Sequence, residues 1–354
     1  MRGVAVLVMI EAHVLDSWTR AADRESSAFG WAITVGGMGA PLFLFLAGVA
    51  VPLSAGSKLR RTGDRALATR LVMRRGLEIF GLAFLFRAQA WVLGWGPPRT
   101  LLRVDILNIM GPAIAGAAAL WGATTTARAR VLTFVAATAA IAFATPFVRS
   151  WSALAALPDP LEAYIRPAGG FSMFVLFPWA GFVAAGATLG AVLDDLRTGD
   201  DEARVTRAAT GAGLALAGAA FALSYLPSPL YASYFWTSSP AFFFLRTGLM
   251  VALVAPAQAW TSRPGAADRS PLVQLGRTSL FIYWIHVEMV YGLISKPLHG
   301  SLPLSGVWGA YILFVLFMFG CSVGMDRAAA WWTDRRARGR AHSTTAAGAS
   351  GTRG

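Results

Sequence analysis

SGVWGAYILFVLFMFGCSVGM, residues 305–325, runs for twenty-one positions without a charged side chain. At about 1.5 Å of rise per residue it spans roughly 30 Å as a helix, the thickness of a bilayer's hydrocarbon core. Similar runs recur outward from it along the 354-residue chain. They place helices near 3–18, 30–54, 67–95, 101–122, 131–148, 170–193, 208–226, 238–260, 271–295 and 305–331. The chain is 56% hydrophobic and 14% charged, whereas soluble domains carry about a quarter charged residues. The expected fold is an all-α integral membrane protein, a bundle of about ten transmembrane helices. Residues 1–332 form the membrane domain, and 333–354 form a basic, disordered cytoplasmic tail.

The formal net charge is +13, almost all from Arg. Nucleic-acid binding would gather that charge on a soluble face, and no such face exists here. Instead Lys58, Arg60, Arg61, Arg65, Arg70, Arg74, Arg75, Arg128, Arg130, Arg204, Arg207 and the tail arginines fall on one side of the spans. Arg197, Arg263 and Arg269 fall there too. The positive-inside rule makes that side cytoplasmic and puts both termini there. The opposite loops carry rings, as in LPSPLYASYFWTSSP, which suit the headgroup layer. One cysteine, Cys321, excludes an intramolecular disulfide and a cysteine metal cluster. The first helix has only about sixteen residues before Asp16, short for a span, so a start upstream of Met1 is expected.

Ionisable groups inside hydrocarbon are costly and mark function. Glu11, His13, Glu78, Arg87, Asp105, Arg246, His286 and Glu288 qualify, with Asn108 beside them. Direction of travel puts His13, Asp16, Asp105, Asn108, Arg246, His286 and Glu288 in the outer halves of their helices. Glu78 lies nearer the cytoplasm. Arg2 and His13 are eleven residues apart, about three whole turns, so they share a face about 16 Å apart. Arg277 and Glu288 repeat that spacing. A cation near the cytoplasm and an imidazole near the outside suit an anionic donor whose reactive end meets an outer acceptor. In GGMGAPLFLFLAG, Gly36, Gly37, Gly39 and Pro41 weaken the second helix and allow close approach of neighbours.

At these residues the chain resembles the transmembrane acyltransferase superfamily, and within it the bacterial relatives of the heparan-α-glucosaminide N-acetyltransferase catalytic domain. RGVAVLVMIEAH is similar to the opening Arg-Gly helix. Arg2 and His13 match the Arg and His that the acyltransferase-3 group shows at this spacing. GAPLFLFLAGVAVPLS resembles the second-helix signature, and LGRTSLFIYWIHVEM the late helix ending in Tyr, a few apolar residues and His. RRGLEIFGLAFLF and LLRVDILNIMG fit more weakly. Heparan-type enzymes place a His in the loop before the second helix; here that loop reads RESSAFGW, with Ser26 and Ser27.

The resemblance implies transfer of an acyl group, typically acetyl, from cytoplasmic acetyl-CoA (acyl-CoA) to an extracytoplasmic glycan amine or hydroxyl. The setting it implies is a multi-pass protein of the bacterial cytoplasmic membrane. The partners are the lipid bilayer, acyl-CoA and a small acceptor, with a second copy of the chain as a further candidate and no nucleic acid. By the match His13 is the base or acyl relay and Arg2 holds the donor. His286, Asp105 and Glu288 join His13 as catalytic candidates, and Arg277, Arg74 and Arg75 join Arg2 as donor contacts. Acyl transfer needs a base titrating near neutrality, which imidazole supplies. Asp16, Asp105 or Glu288 could orient it. Arginines suit polyanionic coenzyme A. No Walker, Rossmann or metal-ligand motif is present. The alternative is a secondary transporter coupling protons through the same groups, although paired interrupted helices are missing. A structural membrane protein without chemistry is the third reading.

Overall fold

The structure, a computed structural model, describes residues 1–94, 97–196, 199–226, 233–263, 265 and 270–350. Arg197 and Arg269, and most of the LPSPLYA stretch, lie outside the described residues. The described chain is helical. In order come α1 (Arg2–Trp18), α2 (Ser27–Gly36), α3 (Gly39–Thr62), α4 (Arg65–Gly94) and α5 (Ile106–Ala123). These are followed by α6 (Ala127–Ser150), the short α7 (Asp159–Ile165), α8 (Leu176–Asp194) and α9 (Gly199–Leu223). The one-turn α10 (Phe235–Ser238), α11 (Pro240–Ala252), α12 (Val254–Thr261), α13 (Pro271–Arg277), α14 (Ser279–Tyr291) and α15 (Leu304–Ser350) complete it. The backbone of α15 thus continues helical to Ser350, inside the stretch that composition reads as a tail.

Eight helices among the described residues are long and apolar enough to cross a membrane. The chain is therefore a multi-pass, all-α integral membrane protein. Two of the ten expected spans fall below that length. The first, α1, has 17 residues. The ninth is divided at Thr278, whose φ of −96° and ψ of 14° part α13 from α14. Outward-facing Leu313, 70% exposed, and Val92, 62% exposed, belong to apolar flanks that lipid covers and water would not tolerate.

Two of the three hydrophobic clusters among the described residues organise the bundle. The larger gathers Leu44, Phe45, Trp121, Phe134, Phe182 and Met250 from α3, α5, α6, α8 and α11. Glycine sets its tightest seam: a Cβ on Gly186 of α8 would meet the Phe45 carbonyl oxygen at 1.9 Å. Without side chains there, α3 and α8 approach to backbone contact, the small-residue packing of membrane helices. The smaller cluster gathers Val6, Ile10, Leu15 and Trp18 of α1 with Ile282, Val290, Val307 and Met318. Gly3 sets this seam. A Cβ there would lie 2.0 Å from the Leu272 carbonyl oxygen, so only glycine brings α1 onto α13.

Candidate active site

A cavity of about 1300 Å³ opens between α1 and α14 on one side and α3, α4 and α5 on the other. Arg2, Lys58, Arg74 and Arg75 line one end. His13, Asp16, Arg87, Arg103, Asp105, Glu288 and Tyr291 line other parts of its wall. Both members of the eleven-residue pair on α1, Arg2 and His13, face it, because α1 runs unbroken between them.

The imidazole end is fixed by α1 and α14 together. The Nδ1 of His13 lies 2.8 Å from Nε2 of His286. The other ring nitrogen of His286, Nδ1, lies 2.8 Å from the carbonyl oxygen of Ile282. A carbonyl only accepts, so His286 carries its proton on Nδ1, and in the neutral ring its Nε2 accepts. His13 then donates through Nδ1 and keeps its lone pair on Nε2. His286 is fully buried, and of the two histidines only His13 lines the cavity. The rings lie 5.0 Å apart and nearly parallel.

Local structure explains why the pair meets. α14 ends at Tyr291, which leaves the Val290 carbonyl without an intrahelical partner. Ser17 Oγ and Trp18 Nε1 of α1 donate to it at 3.0 and 3.2 Å, and Ser295 Oγ does so at 2.8 Å. One orphan carbonyl thereby pins the ends of both helices. At the other end of the seam, Gln274 on α13 donates to Ser322 Oγ and Asp326 of α15. Next to His13, Tyr291 donates to Asp16 at 2.8 Å, and its ring meets the imidazole edge-on at 5.5 Å.

The remaining sequence candidates separate. Asp105 does not orient an imidazole. It sits one residue before α5 as the N-cap, accepting from Leu107 and Asn108, and pairs with Arg87 at 3.1 Å. Asn108 returns the capping bond to Asp105 and reaches Tyr164 at 3.1 Å. The position usually held by a triad carboxylate, against His13 Nδ1, belongs to His286. Glu288 lines the cavity on the same helix as His286. Glu78 is at the arginine end, shared by Arg74 at 3.1 Å and Arg75 at 3.2 Å. Arg277 is not brought to the cavity; it pairs with Asp326 at 3.7 Å. Its spacing to Glu288 assumed one continuous helix, and the break at Thr278 removes the phase relation. Ser26 caps α2, accepting from the Phe29 amide.

Tyr291 and Lys58 were not singled out by sequence as site residues. Tyr291 gives no periodic signal, because it closes a helix next to an ordinary aromatic run. Lys58 reads as one more positive charge, yet it lines the cavity and donates to Ser54 at 2.9 Å. In the loop before α5, Arg103 has its guanidinium pKa lowered by burial and then by neighbouring Arg87 and Arg99. It adds positive potential to the cavity wall.

Fold and cavity define a multi-pass membrane protein with an internal chamber that carries cations at one end and a paired imidazole elsewhere on its wall. The model of the heparan-alpha-glucosaminide N-acetyltransferase catalytic domain matches residues 1–230, and the chain belongs to that family. The match takes in α1 and its His13 but stops before α14 and His286. Curated proteins give no match.

Proposed function

We propose that this protein is an acyltransferase that accepts an acetyl or related acyl group from cytoplasmic acyl-CoA and passes it to an acceptor on the far side of the membrane. Its family is one of acetyltransferases, and the observation that carries the finer reading is the cavity. One chamber includes both the arginine end and the cavity-facing His13. Ten spans, with α1 and the broken α13–α14 counted, keep both termini on the arginine-rich, cytoplasmic side.

Arg2, Lys58, Arg74 and Arg75 attract the coenzyme phosphates, and the thioester reaches along α1 toward His13, about 16 Å away. The lone pair on His13 Nε2 takes the proton of the acceptor hydroxyl or amine as that atom attacks the thioester carbonyl. The tetrahedral intermediate collapses, the C–S bond breaks, and the departing sulfur takes the proton from the imidazolium to give coenzyme A as its thiol. His286 acts as a positioning residue, holding the tautomer through Ile282. The acceptor is a glycan amine or hydroxyl.

Sealed inside-out and right-side-out vesicles supplied with radiolabelled acetyl-CoA test this. Label should reach acceptor only when the donor is on the face where a cysteine at position 62 is labelled, opposite a cysteine at position 160. Transfer from the other face would reverse the orientation. Solute flux without any label transfer would replace the enzyme with a transporter.

A further inference from the structure

A second, smaller pocket stands beside the cavity, and the reaction above makes no use of it. It holds about 220 Å³ between the end of α6, the segment leading into α8, and the α10–α11 corner. Its wall contains Arg149 and Arg246 among rings that include Trp179, Trp236 and Phe242. None of its lining residues is acidic. Phe174 and Trp179, packed edge-on with centroids 4.6 Å apart, line this pocket and also the large cavity. They form a partition between the two.

Several arginines elsewhere in the bundle have counterions. Arg60 meets Asp194, Arg87 meets Asp105 and Arg166 meets Glu162. The two in this pocket have none among the described residues. Arg246 lies over the Phe242 ring at 4.0 Å, and its Nε is buried without a hydrogen-bond partner. Arg149 directs Nε and Nη2 at the Phe177 carbonyl, 3.3 and 3.2 Å away, which leaves its charge uncompensated. A half-buried guanidinium without a counterion is costly, and two at one pocket call for an anion.

Geometry selects the anion. Two forks offer more donors than one carboxylate's two oxygens accept, whereas a phosphate ester presents three or four oxygens to both. Depth selects its setting. The pocket lies at the last turn of α6 and the first turns of α11, beside exposed Trp151, Tyr234 and Trp236, the ring-rich layer where headgroups sit. Its volume is below the roughly 300–1,000 Å³ typical of drug-sized ligand sites, so it suits one headgroup with the apolar atoms next to it.

We propose that this pocket is a phosphoryl site, which binds a phosphate ester at headgroup depth between Arg149 and Arg246. Its use as an anchor for a lipid-linked acceptor rests on the acyl-transfer reading; binding itself does not.

The test uses the full chain in phosphatidylcholine nanodiscs, titrated with polyprenyl phosphate, with the matching polyprenol and with glucose 1-phosphate. Intrinsic fluorescence follows binding, since Trp179 and Trp236 line the pocket. Polyprenyl phosphate should bind and polyprenol should not. Arg246→Gln should weaken binding at least tenfold, and Arg246→Lys by less. Tight glucose 1-phosphate binding lost in Arg246→Gln would support the site and assign it a soluble ligand. Equal binding of alcohol and phosphate would overturn the proposal. So would unchanged binding in Arg246→Gln, or displacement of the phosphate by acyl-CoA. A cooperative melting transition near the parent temperature verifies folding of each variant, and acyl-CoA thermal shift is read separately. Phosphate binding without acyl-CoA binding would sink the acyltransferase reading and leave this site standing.

Discussion

At one end of the cavity, Arg74 and Arg75 stand 77% and 59% exposed and share Glu78 with its ordinary helical spacing. Elsewhere on its wall, the His13 ring is backed by His286, which is fully buried and hydrogen-bonded at both ring nitrogens. The exposed end attracts by charge. Its side chains are long, screened and interchangeable, and each pair contributes about 0–1 kcal/mol. The buried pair controls a single proton. The Ile282 carbonyl determines which nitrogen of His286 carries hydrogen, His286 in turn determines it for His13, and a buried donor left unmet costs about 1–3 kcal/mol. In the proposed reaction the first end governs donor affinity and the second governs rate.

The widest gap between the ends should appear in turnover. His13→Ala should lower it by about 10²–10⁴-fold while acyl-CoA still raises the melting temperature, because the lost group is the base and not a donor contact. Near-normal turnover would place the chemistry elsewhere in the cavity. His286 comes next. His286→Phe should cost roughly tenfold to a hundredfold in kcat with little change in KM, since His13 keeps its place but loses its tautomer partner. His286→Gln, whose amide can both donate to Ile282 and accept from His13, should recover most of that loss. A Gln variant as slow as the Phe variant would argue against a positioning role.

The arginine end should respond more gently. Arg2→Gln should weaken acyl-CoA affinity about tenfold, and Arg74→Gln or Arg75→Gln only a few-fold each, as read from the donor concentration needed for half the thermal shift. Arg277→Gln should leave that affinity unchanged, because Asp326 holds it away from the cavity. If Arg277→Gln weakened binding as much as Arg2→Gln, the contrast between the ends would lose its structural basis.

The smallest effect lies in a loop beyond the histidine pair. Arg20 holds the Asp23 carboxyl below its ordinary value of 3.8, and the Leu304 amide adds to this. A carboxylate depressed in the folded state stabilises above its unfolded pKa and loses that contribution as pH falls through the folded one. The Asp23 contact with Leu304, 2.7 Å long, should therefore persist at neutral pH and open below about pH 4. Hydrogen exchange at the Leu304 amide checks it: protection independent of pH across that window would assign the restraint to backbone contacts of Arg20 and Leu302 instead.

What could be read from the chain followed from length and charge. Residues 305–325 and their counterparts have to sit in lipid, because an uncharged helix of that length has no face for water. Arg2 and His13 could be placed on one face because α1 is regular from Arg2 to Trp18. The same arithmetic failed for Arg277 and Glu288, since periodicity gives no warning of a single non-helical residue such as Thr278. Asp105 was legible as a polar residue near the membrane but not as a cap. Capping depends on where the helix starts, at Ile106, several residues beyond the onset of the apolar run.

The sequence by itself determined the solvent of each segment, because hydrophobic transfer is local and sums along the chain. It also determined that His13 and Arg2 face one way, because a helix's twist is fixed per residue. Only tertiary structure decided that His286, 273 positions away, supplies the bond to His13 Nδ1 that Asp16, Asp105 or Glu288 could have supplied. That choice depends on how closely two backbones approach at Gly3 and Leu272 and on which helix end lacks a partner at Val290. Both are properties of packing between distant segments, and no spacing within either segment encodes them.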